Sequence, residues 1–133
     1  GADWVSSVGE APTETLASAA EVARDYKREL QVELPERWDD ALARRWFDMG
    51  IRHVIAHCTA EVHAVGSGWT AGTIATLNQL ADMGFTVTAA GGIDADTLPG
   101  LTGTRAQVFV VGRSITKAAD PHAEALRLRA LLD

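Results

Sequence analysis

The sequence has 133 residues, 47% apolar and 23% charged, the balance of one soluble globular domain long enough to bury a core. A net charge of −6 excludes a broad basic surface for nucleic acid, although a few backbone N–H groups and one arginine can still hold a phosphate. No apolar run approaches the ~18 residues of a membrane span. The N-terminal Gly-Ala-Asp-Trp-Val lacks the basic and apolar regions of a signal peptide and reads as the middle of a domain, and the lone cysteine, Cys58, suits a reducing, cytoplasmic setting.

In chain order, Trp4–Val8 is the first short run with strand character, and Thr13–Lys27 follows with apolar residues at helical spacing. Pro12 stands where that helix starts, as its missing N–H permits. Leu30–Leu34 is the second strand, and Trp38–Met49 the second helix, its charged stretch Glu36–Arg45 forming a solvated face. Arg52–His57 is the third strand and Ala71–Met83 the third long helix. Thr86–Ala90 and Gln107–Val111 are the fourth and fifth strands, with a helical turn expected after Asp94 and another from Ser114. Pro121–Leu132 closes the chain as a helix.

The alternation argues for a parallel α/β sheet. With no long linker, residues 1–133 form a single domain. Five parallel strands can make an open doubly wound sheet or most of a (β/α)₈ barrel, and the chain is well short of the roughly 250 residues of a complete barrel. Asp48-Met49-Gly50-Ile51 recurs as Asp82-Met83-Gly84-Phe85, each time between helix and strand. Glycine there fits the left-handed position that ends a helix, and the echo marks repeated βα units.

Four features fall at the C-terminal ends of consecutive strands, the face on which barrel enzymes build their sites. Gly91-Gly92 and Gly112-Arg113 end the last two strands, where glycine lets backbone approach an anion and arginine adds a bidentate donor. Phosphate binding and plain tight turns are the two readings, and the tandem arrangement favours phosphate. Glu33 shares a strand face with Gln31, opposite Leu30 and Val32. In a barrel it points inward and can hold a sugar hydroxyl, a lysine or a metal; its alternative is a solvated carboxylate. His57 can serve as acid, base or hydrogen-bond donor. His53 and His57 do not make a metal pair, because four strand residues span about 13 Å. His63 suggests no role. Cys58 points away from His57 and is expected to be packed rather than reactive. Trp4, Trp38 and Trp46 are core or rim residues, whereas Trp69 follows His57 within the glycine-rich Gly66-Ser67-Gly68 loop.

Ala2-Asp3-Trp4-Val5, Gln31-Val32-Glu33-Leu34, His57, Trp69, Leu80-Ala81-Asp82-Met83-Gly84-Phe85, Gly91-Gly92 and Val111-Gly112-Arg113-Ser114-Ile115 carry a resemblance. Over essentially its whole length the chain resembles the 3-keto-L-gulonate-6-phosphate decarboxylase and 3-hexulose-6-phosphate synthase group of the orotidine-monophosphate decarboxylase superfamily, nearer the decarboxylase branch. The resemblance implies a partial (β/α)₈ barrel made of about five C-terminal β/α units. It implies that Gly91, Gly92, Gly112 and Arg113 grip a sugar phosphate, and that Glu33 and His57 stabilise and protonate a cis-enediolate. It further implies a homodimer or higher oligomer and a Mg²⁺ ion.

Two positions depart from the decarboxylase pattern: Ala60 replaces an arginine and Ala90 a threonine, both nearer the synthase branch. The family's Asp-x-Lys-x-x-Asp motif, with its enediolate lysine and magnesium ligands, does not occur here. Lys27 and Lys117 are the only lysines, and neither is placed at a catalytic strand end. The expectation is therefore a lyase of the decarboxylase type whose 133 residues alone are inactive. The alternatives are a synthase-type aldolase and a non-catalytic, phosphate-binding half-barrel.

Overall fold

The computed structural model describes residues 1–58 and 68–132. Five strands, β1 (Trp4–Val8), β2 (Glu29–Glu33), β3 (His53–His57), β4 (Thr86–Ala90) and β5 (Val108–Val110), form one sheet in the order β1-β2-β3-β4-β5 with every neighbouring pair parallel. Helices α1 (Thr13–Asp25), α2 (Asp40–Asp48), α3 (Ala71–Asp82), α4 (Leu98–Thr102), α5 (Arg113–Thr116) and α6 (Pro121–Ala130) alternate with them among the described residues. The expected parallel α/β sheet is present. Positions 60, 63, 66 and 67, on which the sequence reading also touched, lie outside the described residues.

Helix boundaries follow local chemistry. Asp39, Thr70 and Asp120 accept the backbone N–H of Leu42, Thr73 and Ala123, satisfying donors that the first turn of α2, α3 and α6 leaves over. The repeated Asp-Met-Gly segments end α2 and α3 in the same way. Gly50 (φ 88°) donates to Phe47 O while Ile51 donates to Trp46 O, and Gly84 (φ 95°) donates to Ala81 O while Phe85 donates to Leu80 O. Both are Schellman motifs, with glycine in the left-handed position. A third ends α1 two residues before the expected Lys27: Lys27 donates to Arg24 O and Arg28 to Ala23 O, and Lys27 itself takes φ 55°. The turn after Asp94 is not yet helical. Asp94 Oδ1 accepts the N–H groups of Asp96 (3.1 Å) and Thr97 (2.9 Å), and this side-chain turn delays α4 to Leu98.

Register divides the sheet into two faces. On one, Leu30, Val32, Val54, Ala56, Val87 and Ala89 pack against Leu16 of α1, Trp46 of α2, Leu77 and Leu80 of α3, Leu98 and Leu101 of α4 and Leu128 of α6. Burial of each such large side chain stabilises the fold by roughly 1.5–3 kcal/mol. The other face carries Ser6, Gln31, Glu33, His53, Ile55, His57, Thr88 and Ala90, aligned across the strands by the pairs Ser6↔Gln31, Gln31↔His53, Glu33↔Ile55 and Ile55↔Thr88. That second face carries the chemistry.

Candidate active site

Period two places Glu33 and His57 on the polar face at the C-terminal ends of adjacent strands. Glu33 pairs in register with Ile55, so His57 lies one inward-facing step further along β3. From there Nδ1 of His57 meets Glu33 Oε1 at 2.8 Å. An ionised carboxylate only accepts, so Nδ1 carries the proton and donates it. This fixes the tautomer and leaves Nε2 as the ring's outward functional nitrogen. Both side chains keep about two fifths of their surface exposed, 41% and 39%, which leaves the pair open to a ligand.

The next strand end supplies backbone. Gly91 and Gly92 take φ 88° and 59° in succession. A Cβ on Gly91 would stand 1.9 Å from the Cys58 carbonyl oxygen and 2.7 Å from His57 Cδ2, so only glycine fits between β3 and β4 at this height. Gly92 donates its N–H to no acceptor among the described residues. Gly112 and Arg113 follow β5, with open space around Gly112 where a Cβ would stand. Arg113 forms no ion pair among the described residues.

All of these positions border one groove of about 830 Å³. The groove brings together Glu33, His57, Gly91, Gly92, Gly112 and Arg113, the six positions singled out from the sequence. It also takes in Gln31, the inward-facing partner of Glu33, Asp94 and Ser114 of the two glycine strand ends, and Ser6 and Lys117, which the sequence did not single out. Ser6 and Gln31 share a strand face with Glu33, a signal available from period two. Lys117 is not at a strand end, as expected; it caps the C-terminus of α5 and borders the groove from there. The groove is a mixed site, bordered by a carboxylate–imidazole pair, glycine backbone, a guanidinium and an ammonium group.

His53 belongs elsewhere. It is buried at the opposite end of β3, where Nε2 meets Glu29 Oε2 at 2.8 Å and its ring packs 4.7 Å from Trp4. The cavity of about 440 Å³ at that end is bordered by Arg24, Lys27, Arg28 and Arg52. Arg52 is committed to the Phe47 carbonyl and ring, and Arg24 and Lys27 stand at the C-terminal end of α1, where cations offset the helix dipole. Cys58 is buried, and burial pushes its thiol above the ordinary range.

Among the described residues no ligand set for a magnesium ion is assembled. Glu33 and His57 are bonded to each other, and Asp94 is occupied by its own turn. Among the described residues no three His, Cys, Asp or Glu side chains converge as a metal site would require.

The profile of the orotidine 5'-phosphate decarboxylase / HUMPS family matches residues 1–128. The chain belongs to this family. It is similar to 3-keto-L-gulonate-6-phosphate decarboxylase UlaD of Escherichia coli, with 38% identity over 120 residues that cover 90% of this chain and 56% of that protein. It is also similar to the KGPDC of Streptococcus mutans solved in complex with a phosphorylated sugar: TM-score 0.93 and 32% identity, covering 99% of this chain and 62% of that one. A 3-hexulose-6-phosphate synthase of Salmonella typhimurium superposes with TM-score 0.87 at 26% identity, covering 99% of this chain and 62% of its own. The chain therefore spans just over half the length of the relatives it matches, and its five-strand sheet corresponds to part of their barrel.

Proposed function

We propose that this chain forms the phosphate-gripping part of a sugar-phosphate lyase of the 3-keto-L-gulonate-6-phosphate decarboxylase type. The observation that carries the reading is the His57–Glu33 pair bordering the same groove as the Gly91-Gly92 turn and Arg113. The similarity to the E. coli and S. mutans decarboxylases supports the same chemistry.

In this reading the sugar phosphate lies with its phosphoryl group against Gly92, Gly112 and Arg113, where backbone N–H groups and a guanidinium match an anion. The carbon skeleton then extends toward His57. When the bond to the departing carboxylate breaks, its electron pair passes into the adjacent carbonyl and yields a cis-enediolate and carbon dioxide. Nε2 of His57 relays a proton to the enediolate carbon. Glu33 holds the ring in place by accepting from Nδ1. In the longer proteins of the family a magnesium ion and a lysine would supply electrostatic stabilisation of the enediolate; the described residues of this chain assemble no ligand set for that ion. The longer protein is proposed to work as a cytoplasmic homodimer or higher oligomer, with residues 1–133 one structural unit of it.

Amide spectra recorded while titrating L-xylulose 5-phosphate test the binding half of the reading. Saturable shifts at Gly92, Gly112 and Arg113 are expected in the wild type, with loss of saturation in Arg113→Ala. A well-dispersed spectrum with no shifts sinks it. The reaction half is tested on the longer protein by product analysis, with carbon dioxide expected; formaldehyde release would give the aldolase reading instead. A sugar-phosphate complex that never turns over, even in the longer protein, would give the non-catalytic one. The 133-residue chain alone is expected to show no enzyme-like turnover.

A further inference from the structure

We infer that Trp69 is a positioning residue for the phosphate grip, acting through the Gly91–Gly92 peptide. This inference rests on the proposed phosphate site and adds to it a residue that does not border the groove.

Trp69 lies between β3 and α3, half-buried against the core. Its ring borders a smaller cavity of about 480 Å³ together with Trp38, Cys58 and Thr73. From that side the indole Nε1–H donates to the Gly91 carbonyl oxygen at 3.0 Å. Indole has one donor and no acceptor, so the bond has one direction. The Gly91–Gly92 peptide is trans, and in a trans peptide the C=O and the following N–H point to opposite sides of the chain. Drawing the Gly91 carbonyl toward Trp69 therefore turns the Gly92 N–H the other way, toward the groove that Gly92 lines.

This peptide needs such a restraint. Glycine on both sides, at φ 88° and 59°, lets the plane flip at little steric cost. A flip would present a carbonyl oxygen to the bound phosphate in place of an N–H, replacing attraction by repulsion. Among the described residues, the indole supplies the side-chain hydrogen bond to this carbonyl. Gly91 cannot be replaced to stiffen the turn, because a Cβ there collides with Cys58. The fold uses a hydrogen bond from outside the site where it cannot use a stiffer residue.

The test compares the wild-type chain with Trp69→Phe and with a chain carrying 3-benzothienyl-alanine at position 69, in which sulfur replaces the indole N–H at nearly unchanged shape. Inorganic phosphate and L-xylulose 5-phosphate are titrated, with the Gly92 amide shift and the dissociation constant as readouts and thermal unfolding as the control on folding. The inference expects both variants to bind about five- to tenfold more weakly, the effect of one hydrogen bond. The Gly92 amide is expected to move even without ligand, while the benzothienyl chain keeps the wild-type melting temperature. A role in packing alone would leave the benzothienyl chain's affinity and its Gly92 amide as in wild type, which overturns the inference and leaves the phosphate site standing. A wild type that binds neither probe overturns both.

Discussion

His57 Nδ1 stands 2.8 Å from Glu33 Oε1 across the boundary between β3 and β2, and that contact decides which imidazole nitrogen faces the groove. The carboxylate accepts from Nδ1, so Nε2 is left to exchange a proton with a ligand. The pair is built from strand ends on a continuous ladder, so both side chains are held by backbone rather than by a loop.

Glu33→Gln should therefore change the histidine before it changes the fold. The wild type is expected to show the Nδ1–H tautomer by long-range proton–nitrogen correlation. The variant, whose amide can donate as well as accept, should show a mixture of tautomers. In the longer protein, turnover is expected to fall by about 10²-fold, a typical loss when acid–base machinery is impaired, with KM changed little. An unchanged tautomer in the variant would mean that Glu33 does not orient the ring.

Gly91→Ala should be among the most damaging single substitutions in the chain. Its methyl group would stand 1.9 Å from the Cys58 carbonyl oxygen, at a φ of 88° that alanine resists. Strain and overpacking together are expected to cost about 3 kcal/mol in urea unfolding. Gly112→Ala, with open space around it, should cost far less.

Lys27→Gly should stabilise the chain. Lys27 occupies the left-handed position that closes α1, which Gly50 and Gly84 hold after α2 and α3. Relief of the Cβ conflict is expected to outweigh glycine's extra freedom in the unfolded chain, by about 0.5–1 kcal/mol. A lower urea midpoint would show that the lysine side chain contributes something the turn geometry does not reveal.

Cys58 gives a pH prediction. Burial raises its thiol above the ordinary 9.0, so the folded chain holds a proton that the unfolded chain releases. Its contribution to stability is complete below pH 9.0 and is lost as pH climbs above that value toward the folded thiol's own pKa. Urea midpoints should decline over that alkaline range more steeply in wild type than in Cys58→Ala. Iodoacetamide at pH 8 should label native Cys58 at least about 100-fold more slowly than the unfolded chain.

Most of the architecture was legible because strands and long helices announce themselves by period. Leu30 and Val32 against Gln31 and Glu33 show which face packs and which carries chemistry, and the fold agrees. The two Asp-Met-Gly joints were equally readable, since glycine marks the left-handed position. The third joint was not, because Lys27 adopts that position without the usual residue. The helix after Asp94 begins later than expected because the Asp94 carboxylate holds its own turn open, a contest between side chain and backbone that spacing does not disclose. At the site, strand-end residues were readable, whereas the approach of Lys117 to the groove was not, because it follows a short helix after the last strand. Trp69 stood out in the sequence, but its contact with Gly91 spans 22 positions and follows from packing alone.

The strand order has a consequence for how such a molecule is made. Each strand pairs with the one synthesised just before it, as Trp4 does with Glu29 and Thr88 with Val108. Nothing has to be threaded or inserted between earlier strands. The sheet can grow as the chain leaves the ribosome, each βα unit docking on the flank of the last, so that assembly order and spatial order coincide. A protein built this way can gain or shed units at either flank without rewiring the middle, where Glu33, His57 and the glycine turn reside.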